Sequence, residues 1–201
     1  MVHPILERIL DLEWAMFVRV RSDREAPCQS APNNFRNIRA SLFDTWTPEM
    51  LEAYCDDLEE ATIAGRNLLA EKYARMDELI PPLTDDPVID LILDVETRWQ
   101  SEVRDRFPLL YRRCCRSTAE TGDGREFAVY LRAEIETYGY ETRQLYFVNI
   151  KNAERNGRNL GIEALQALVR RSGYPDLAHA EAHFASRSQG QSSLPEQSRC
   201  E

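Results

Sequence analysis

The stretch YCDDLEEATIAGRNL, residues 54–68, returns without a gap at residues 146–160 as YFVNIKNAERNGRNL. The two copies share a tyrosine, an acid or amide, an aliphatic residue, an alanine and the final GRNL, all in one register. Such self-similarity within one chain indicates an internal duplication. We therefore predict two degenerate repeats, at about 5–80 and 88–173.

The first copy lies within a long amphipathic pattern. Apolar residues recur every three or four positions, which is typical of one face of a helix. Thr47 offers an N-cap hydroxyl, and Pro48 follows at the first helical position. We predict one helix over 48–79. Gly65 would lie on its buried face, four residues after Ala61, and the pair would let another helix approach closely.

The rest of the chain is also helical in pattern. Predicted helices cover about 4–21, 35–43, 88–107, 109–119, 126–155, 162–171 and a last segment that ends near residue 185. No stretch alternates with a period of two, so we predict no strand. The expected fold is all-α, a single-domain bundle of about seven or eight helices over 1–186, followed by a disordered tail at 187–201.

Composition excludes several classes of function. The net charge of −9 disfavours nucleic acid and anionic membranes as partners. No run of 18 apolar residues is present, so no membrane span is predicted. Five cysteines without paired spacing favour a reducing compartment. We expect a cytoplasmic protein.

Each copy of the repeat places an arginine and an asparagine after its glycine. These residues are Arg66, Asn67, Arg158 and Asn159. If the halves pack around a pseudo-twofold axis, the four side chains converge and would hold an anion. The alternative is a pair of internal Arg–Glu clamps that fix helix register. The expected carboxylate partners of the two arginines are Glu13, Glu96 and Glu134.

Several short motifs follow one another in a fixed order. They are Glu13-Trp14-x-x-Phe17, Ala26-x-Cys28-Gln29, Phe35-x-x-x-Arg39-x-Ser41, Tyr54-x-x-Asp57-Leu58, Gly65-Arg66-Asn67-Leu68-Leu69-x-Glu71-Lys72-Tyr73-Ala74-Arg75-Met76, Tyr130-Leu131-Arg132-x-Glu134-x-Glu136-Thr137-Tyr138 and Gly157-Arg158-Asn159-Leu160. Together they resemble a bacterial family, the domain of unknown function 4125. Pro27 and Leu42 depart from its pattern, which has a small hydroxyl residue and a glutamine there. The resemblance implies no activity.

Two residues are candidates for catalysis. Cys28 lies in a predicted loop just before a helix, and a helix N-terminus lowers the pKa of a thiol. Glu13 interrupts an apolar pattern beside Trp14. Aromatic and polar residues would line a small-molecule pocket around them. The candidate binding residues are Trp14, Arg39, Arg66, Asn67, Glu71, Tyr73, Glu134, Tyr138, Arg158 and Asn159.

Three functions remain open from the sequence. The first is binding of a small polar or anionic molecule between the halves, with or without catalysis. The second is a non-catalytic helical module that docks another protein or forms a homodimer. The third is a metal- or cysteine-dependent enzyme. His179 and His183 lack a third ligand, and no Glu-x-x-His pair is present, so we assign no metal site. The sequence does not identify a cofactor.

Overall fold

The described part of the chain is all-α. A computed structural model describes residues 4–20, 31–119 and 126–190. Ten helices follow one another there: α1 (Pro4–Phe17), α2 (Pro32–Phe43), α3 (Pro48–Ile63), α4 (Leu68–Met76), α5 (Val88–Arg106), α6 (Pro108–Cys114), α7 (Phe127–Glu136), α8 (Tyr140–Arg155), α9 (Leu160–Arg171) and α10 (Leu177–Gly190). These ranges contain no strand, which confirms the predicted all-α single-domain fold.

Two of the predicted long helices are each divided by a short turn. The helix predicted over 48–79 ends at Ile63 and resumes at Leu68, and the one predicted over 126–155 breaks between α7 and α8. The predicted continuity was therefore wrong at both places. At the chain end, α10 runs into the predicted disordered tail, whose residues 191–201 lie outside the described ranges.

The first GRN segment is the turn between α3 and α4. Gly65 has a φ of +71°, a left-handed conformation that favours glycine. The Arg66 N–H donates to the Ala61 carbonyl at 2.8 Å, which closes the helix end. The Asn67 side chain then accepts from the Ala70 N–H at 3.0 Å and begins α4. A Cβ on exposed Gly65 would meet nothing within 4 Å, so the predicted close helix crossing there is wrong.

The second GRN segment repeats this turn between α8 and α9. Gly157 has a φ of +63°, and the Arg158 N–H donates to the Ala153 carbonyl at 2.9 Å. The Asn159 side chain accepts from the Ile162 N–H at 3.0 Å and caps α9. Both copies therefore encode a helix end followed directly by a helix start.

Helix packing has the same pattern in the two halves of the chain. α1 packs on α2, α3 and α4, and α5 packs on α7, α8 and α9. α3 and α8 contact each other, while α2 packs on α9 and α4 packs on α7. The second half therefore repeats the neighbour relations of the first, with α5, α7, α8 and α9 in place of α1 to α4.

The apolar core has two parts. The larger part includes fully buried side chains from α1, α3, α5 and α8, namely Ile9, Leu58, Ile92 and Ile150. A second cluster joins α6 and α10 to the ends of α5 and α9. Within the ranges described, no helix has both the length and the apolar character needed to cross a bilayer.

Candidate functional site

Glu13 is a fully buried carboxylate at the centre of the first half. α1 carries it on its apolar face, and none of its surface is exposed. Arg39 of α2 holds it through two bonds, Nε to Oε2 at 2.8 Å and NH2 to Oε1 at 2.6 Å. The Tyr54 hydroxyl of α3 donates to Oε1 at 2.8 Å. This carboxylate is thus held by three donors from two neighbouring helices.

Glu134 of α7 is the second carboxylate of the same network. The third nitrogen of Arg39 lies 2.7 Å from its Oε1, and Lys72 of α4 donates to Oε2 at 3.2 Å. Burial alone would raise the pKa of Glu134, but the charges of Arg39 and Lys72 outweigh burial and hold that pKa well below its ordinary value. Together with Glu13, the network balances two buried carboxylates with two buried cations.

Hydrogen bonds identify the corresponding residues of the two halves. Asn67 donates to the Met16 carbonyl at 2.8 Å, and Asn159 donates to the Trp99 carbonyl at 3.2 Å. Glu13 lies three residues before Met16, and Glu96 lies three residues before Trp99, so these two glutamates correspond. In the same way, Thr45 and Thr137 each donate to the carbonyl three residues before them, both at 2.7 Å. This second pair makes Leu131 of α7 the counterpart of Arg39.

Glu96 occupies the position of Glu13, but none of the described cations forms an ion pair with it. The Tyr146 hydroxyl donates to its Oε1 at 2.9 Å, as Tyr54 does to Glu13. In the described ranges this hydroxyl is its single hydrogen-bond partner, and only 7% of Glu96 is exposed. Burial raises its pKa to about 7, although the Tyr146 bond acts in the opposite direction.

An aromatic cluster lies between Glu13 and Glu96, because Tyr54 binds the first and Tyr146 the second. The Trp46 ring lies 5.5 Å from Tyr54, 5.8 Å from Tyr138 and 5.6 Å from Tyr146, measured between centroids. All three tyrosines are buried, and burial raises their pKa values. These rings pack on one another edge-on or tilted, so they form core and leave no pocket wall among them.

The arginines of the repeat lie at the surface. Arg66 binds Glu71 and Arg158 binds Glu163, each through two nitrogens at 2.5–2.9 Å. Their side chains are about half exposed, at 51% and 50%. The expected pairing with central carboxylates was wrong, since each arginine instead clamps its own turn. Among the described residues the two clamps share no hydrogen-bond partner, and the convergence of the four side chains stays a prediction.

The asparagines of the repeat hold the turns to neighbouring helices. Asn67 reaches the carbonyl of Met16 at the end of α1, as described above. Asn159 reaches α5, where it also donates to Glu102 at 2.9 Å. Their amide groups are occupied within the protein, which indicates a structural part for both.

The remaining candidate residues divide into three groups. Cys28 lies outside the described residues. Trp14 and Tyr73 join a partly buried aromatic cluster with Phe17 and Phe35 rather than the central one. Tyr138 does belong to the centre, where its hydroxyl donates to Glu134 at 3.1 Å.

Lys72 is a central residue that the sequence reasoning missed. It donates to the Tyr130 hydroxyl at 2.6 Å as well as to Glu134, and it is buried. The signal was present in the sequence. Leu68, Lys72 and Met76 are spaced four apart, so the lysine stands on the buried face of α4.

An open groove lies between α5 and α7 on the other face of the Glu96 helix. Its volume is about 450 Å³. We call it the α5–α7 groove. It is lined by Asp90, Leu93, Asp94, Thr97, Arg98, Ser101, Ala128 and Arg132. A smaller cavity of about 240 Å³ adjoins the second GRN turn and shares Arg98 with the groove.

No metal centre is apparent in the part of the chain that the structure describes. Nowhere in it do three or more His, Cys, Asp or Glu side chains come together as metal ligands would. The Nδ1 atom of His179 in α10 instead lies 2.8 Å from Oδ1 of Asp176, which comes just before that helix.

Comparison of the sequence with known families identifies its family. The profile of the family described as Protein of unknown function (DUF4125) matches residues 3–182. The chain therefore belongs to this family, and the resemblance seen in its motifs is confirmed. Comparisons with curated proteins and with solved structures give no match. The family description carries no activity, so the geometry described above is what bears on function.

Proposed function

We propose that the protein binds a small polar molecule, and that the site is the α5–α7 groove. The buried centre is a poor site for a ligand, because Glu13 has no exposed surface and three protein donors hold it. The groove is open and combines apolar, hydroxyl and charged side chains, as small-molecule sites do.

One observation carries this proposal. The groove exists because two large side chains of the first half have small counterparts in the second. On the corresponding surface of α1 and α2, Trp14 contacts Phe35 and Arg36 binds Glu7 and Asp11. Thr97 and Ala128 stand at those two positions in α5 and α7. The α5–α7 surface thus has smaller side chains than its counterpart on α1 and α2, and this difference leaves space for a ligand.

The same correspondence supports an internal duplication with repeats at about 5–80 and 88–173. α3 and α8 each have 16 residues, and each ends in a left-handed glycine followed by an asparagine cap. Asp57 of α3 accepts from Gly139 N–H at the start of α8, while Asn149 of α8 donates to the Thr45 carbonyl near the start of α3. These reciprocal contacts are what descent from a symmetric dimer would leave.

Free thiols support a reducing, cytoplasmic location. Cys55, Cys114 and Cys115 are all unpaired. Burial raises the pKa of each of these thiols, and that of Cys115 to about 12. Protonated, unbridged thiols are typical of proteins kept in a reducing compartment.

A thermal-shift screen tests the proposed site. Small amines, carboxylates, phosphates and amides would be added one at a time to the wild type and to the Ala128→Arg variant. Arginine at residue 128 restores the side chain that closes the corresponding surface of the first half. We expect at least one compound to raise the Tm of the wild type and not that of the variant. Equal responses of the two proteins to every compound would contradict the proposal.

A second candidate is homodimerisation through exposed apolar side chains of α5 and α7. Leu91 of α5 and Val129 of α7 are 50% and 36% exposed, and both could be covered by a second copy of the chain. Sedimentation velocity over a range of concentrations distinguishes the two candidates. A dimer that Leu91→Lys dissociates would favour the interface, and a monomer at all concentrations would favour ligand binding.

A further inference from the structure

We infer that Asn156 is a site of spontaneous covalent modification, where its side chain cyclises onto the backbone nitrogen of Gly157 and is converted to aspartate and isoaspartate. The inference concerns the second GRN turn and is independent of the proposed ligand site. Asn156 is the one asparagine of the chain that a glycine follows. Asparagine is among the thermally labile residues of proteins, and a following glycine has no side chain to obstruct the ring.

The reaction needs no reagent other than water. The Gly157 nitrogen gives up its proton and forms a bond to the side-chain carbonyl carbon of Asn156. The bond from that carbon to Nδ2 breaks, and the amide nitrogen leaves as ammonia with the released proton. Water then opens the resulting five-membered imide at one of its two carbonyl carbons, which gives aspartate or isoaspartate.

The second GRN turn has room for this ring. Asn156 and Gly157 are both exposed, and a Cβ on Gly157 would meet nothing within 4 Å. The Asn156 amide nitrogen donates to the Asn152 carbonyl at 2.7 Å. Within the described ranges no donor holds the oxygen of the same amide, so its carbonyl group is open to attack.

The closed turn holds the two reacting groups apart. Asn156 has a ψ of 10°, which turns the Gly157 nitrogen toward the backbone nitrogen of Asn156 and away from its side chain. The Gly157 N–H also donates to the Glu154 carbonyl at 3.0 Å. Ring closure therefore requires a local opening of the turn that breaks this hydrogen bond and rotates ψ.

The Arg158–Glu163 ion pair resists that opening. It joins the residue after Gly157 to the first turn of α9, and its two side chains are 50% and 36% exposed. A pair that is this exposed adds little free energy, so its loss should raise the population of the open turn by a factor of about 2–5. The rate of modification at Asn156 should rise by the same factor.

Modification would weaken the end of α8. A carboxylate at residue 156 has no N–H to donate to the Asn152 carbonyl, and it adds negative charge at the negative end of the helix dipole. Isoaspartate also lengthens the backbone of the turn by one carbon. The modified turn should therefore open more readily than the original one.

The first GRN turn supplies a matched control within the same chain. Ala64 stands in the position of Asn156, with φ and ψ of −74° and −1° against −95° and 10°. The Gly65 N–H donates to the Thr62 carbonyl at 3.2 Å, which repeats the bond of the second turn. Alanine has no amide to cyclise, so two turns of closely similar backbone differ in this one chemical property.

Incubation of the full chain in mildly alkaline buffer tests the site. Peptide mass spectrometry would follow the conversion of the amide, and isoaspartyl methyltransferase would detect isoaspartate. We expect both products at Asn156 in the wild type, neither in Asn156→Ala, and a second modified site at residue 64 in Ala64→Asn. An Asn156 that keeps its amide, or that gives aspartate without isoaspartate, would overturn the inference. An unmodified residue 64 in Ala64→Asn would contradict the part assigned to the turn.

Two further variants test whether opening of the turn sets the rate. Glu163→Gln breaks the ion pair of the second turn and should raise the rate at Asn156 by a factor of about 2–5. Glu71→Gln breaks the corresponding pair of the first turn and should leave that rate unchanged. Circular dichroism would verify that both variants are folded. Equal rates in the two variants would overturn the control of the reaction by the Arg158–Glu163 pair.

Discussion

In each half of this protein a buried glutamate accepts a hydrogen bond from a buried tyrosine. The two halves differ in whether a cation neutralises that glutamate. Glu13 is bonded to Tyr54 and Arg39, whereas Tyr146 is the one partner of Glu96 among the residues that the structure describes. The residue that decides the difference is on the second helix of each half, arginine in α2 and Leu131 in α7. One substitution in a repeated framework therefore separates a fixed ion pair from a carboxyl group that titrates near pH 7.

The same two helices also explain the difference at the surface. Arg36 lies one turn before Arg39 in α2, and Ala128 lies one turn before Leu131 in α7. The first half has both arginines, so its centre and its surface are neutralised internally. The second half has neither, which leaves a titratable carboxyl inside and an open groove outside.

The largest expected effect is the loss of the central ion pair. Arg39→Met removes the shared partner of Glu13 and Glu134 and leaves both carboxylates buried. Breaking a buried pair in this way typically costs about 3–5 kcal/mol of unfolding free energy. Urea unfolding would measure the loss. Arg66→Met, which breaks a half-exposed pair, should cost at most about 1 kcal/mol. Similar costs for both variants would contradict the asymmetry between centre and surface.

The next effect is a pH dependence due to Glu96. Its folded pKa of about 7 lies above the ordinary 4.5, so the folded chain keeps a proton that the unfolded chain releases. The contribution of this group to stability is complete below pH 4.5 and is lost as the pH rises to about 7, by about 3 kcal/mol in all.

Glu96→Gln should remove that loss, because glutamine resembles the protonated acid. Unfolding free energies of the wild type and the variant would be compared between pH 5 and 8. Glu134 has a lowered pKa, so its contribution is present in this window and is lost only at lower pH. A difference between the two proteins that stays constant across the window would show that Glu96 is ionised throughout.

A smaller effect is expected at the contact between the halves. A Cβ on Gly139 would lie 2.1 Å from Asp57 Oδ1, in the carboxylate that caps the start of α8. Gly139→Ala must therefore displace Asp57, at a cost typical of overpacking, about 1–3 kcal/mol. Thermal unfolding would measure the cost. No change in Tm would mean that α3 and α8 do not meet as closely as described.

The smallest expected effect concerns the left-handed glycines of the two GRN turns, a feature that the halves share. Gly65→Ala and Gly157→Ala each force alanine into a left-handed conformation without any clash. Each should cost about 1–2 kcal/mol, and the two costs should agree. Chemical denaturation of both variants would show this. A much larger loss at Gly65 would restore the tight helix crossing that the sequence pattern had favoured.

Much of the fold could be predicted because helix starts carry recognisable capping residues. Thr47 and Pro48 mark α3 as expected, and the Thr47 hydroxyl accepts from Met50 N–H. The GRN turn was missed in the first copy because apolar periodicity continues across it. A glycine followed two residues later by an asparagine is a helix end joined to a helix start, and this local signal outweighs periodicity.

The centre was only partly predictable. Glu13, Arg39, Glu134 and Tyr138 were singled out because polar residues in an apolar pattern need partners. Which arginine meets which glutamate depends on how helices cross, and no spacing in the sequence gives that. Arg66 and Arg158 belong to the repeated motif, but each binds a glutamate of its own turn and not a central carboxylate.

The most direct test of this account is the titration of Glu96 itself. Carboxyl-carbon resonances of ¹³C-labelled glutamates would be followed against pH, with Glu96 assigned by its absence in Glu96→Gln. The account predicts a midpoint near pH 7 for Glu96 and a Glu134 that remains ionised to the lowest pH at which the protein stays folded. A midpoint for Glu96 at or below about pH 5, as in an ordinary solvated carboxyl, would contradict it.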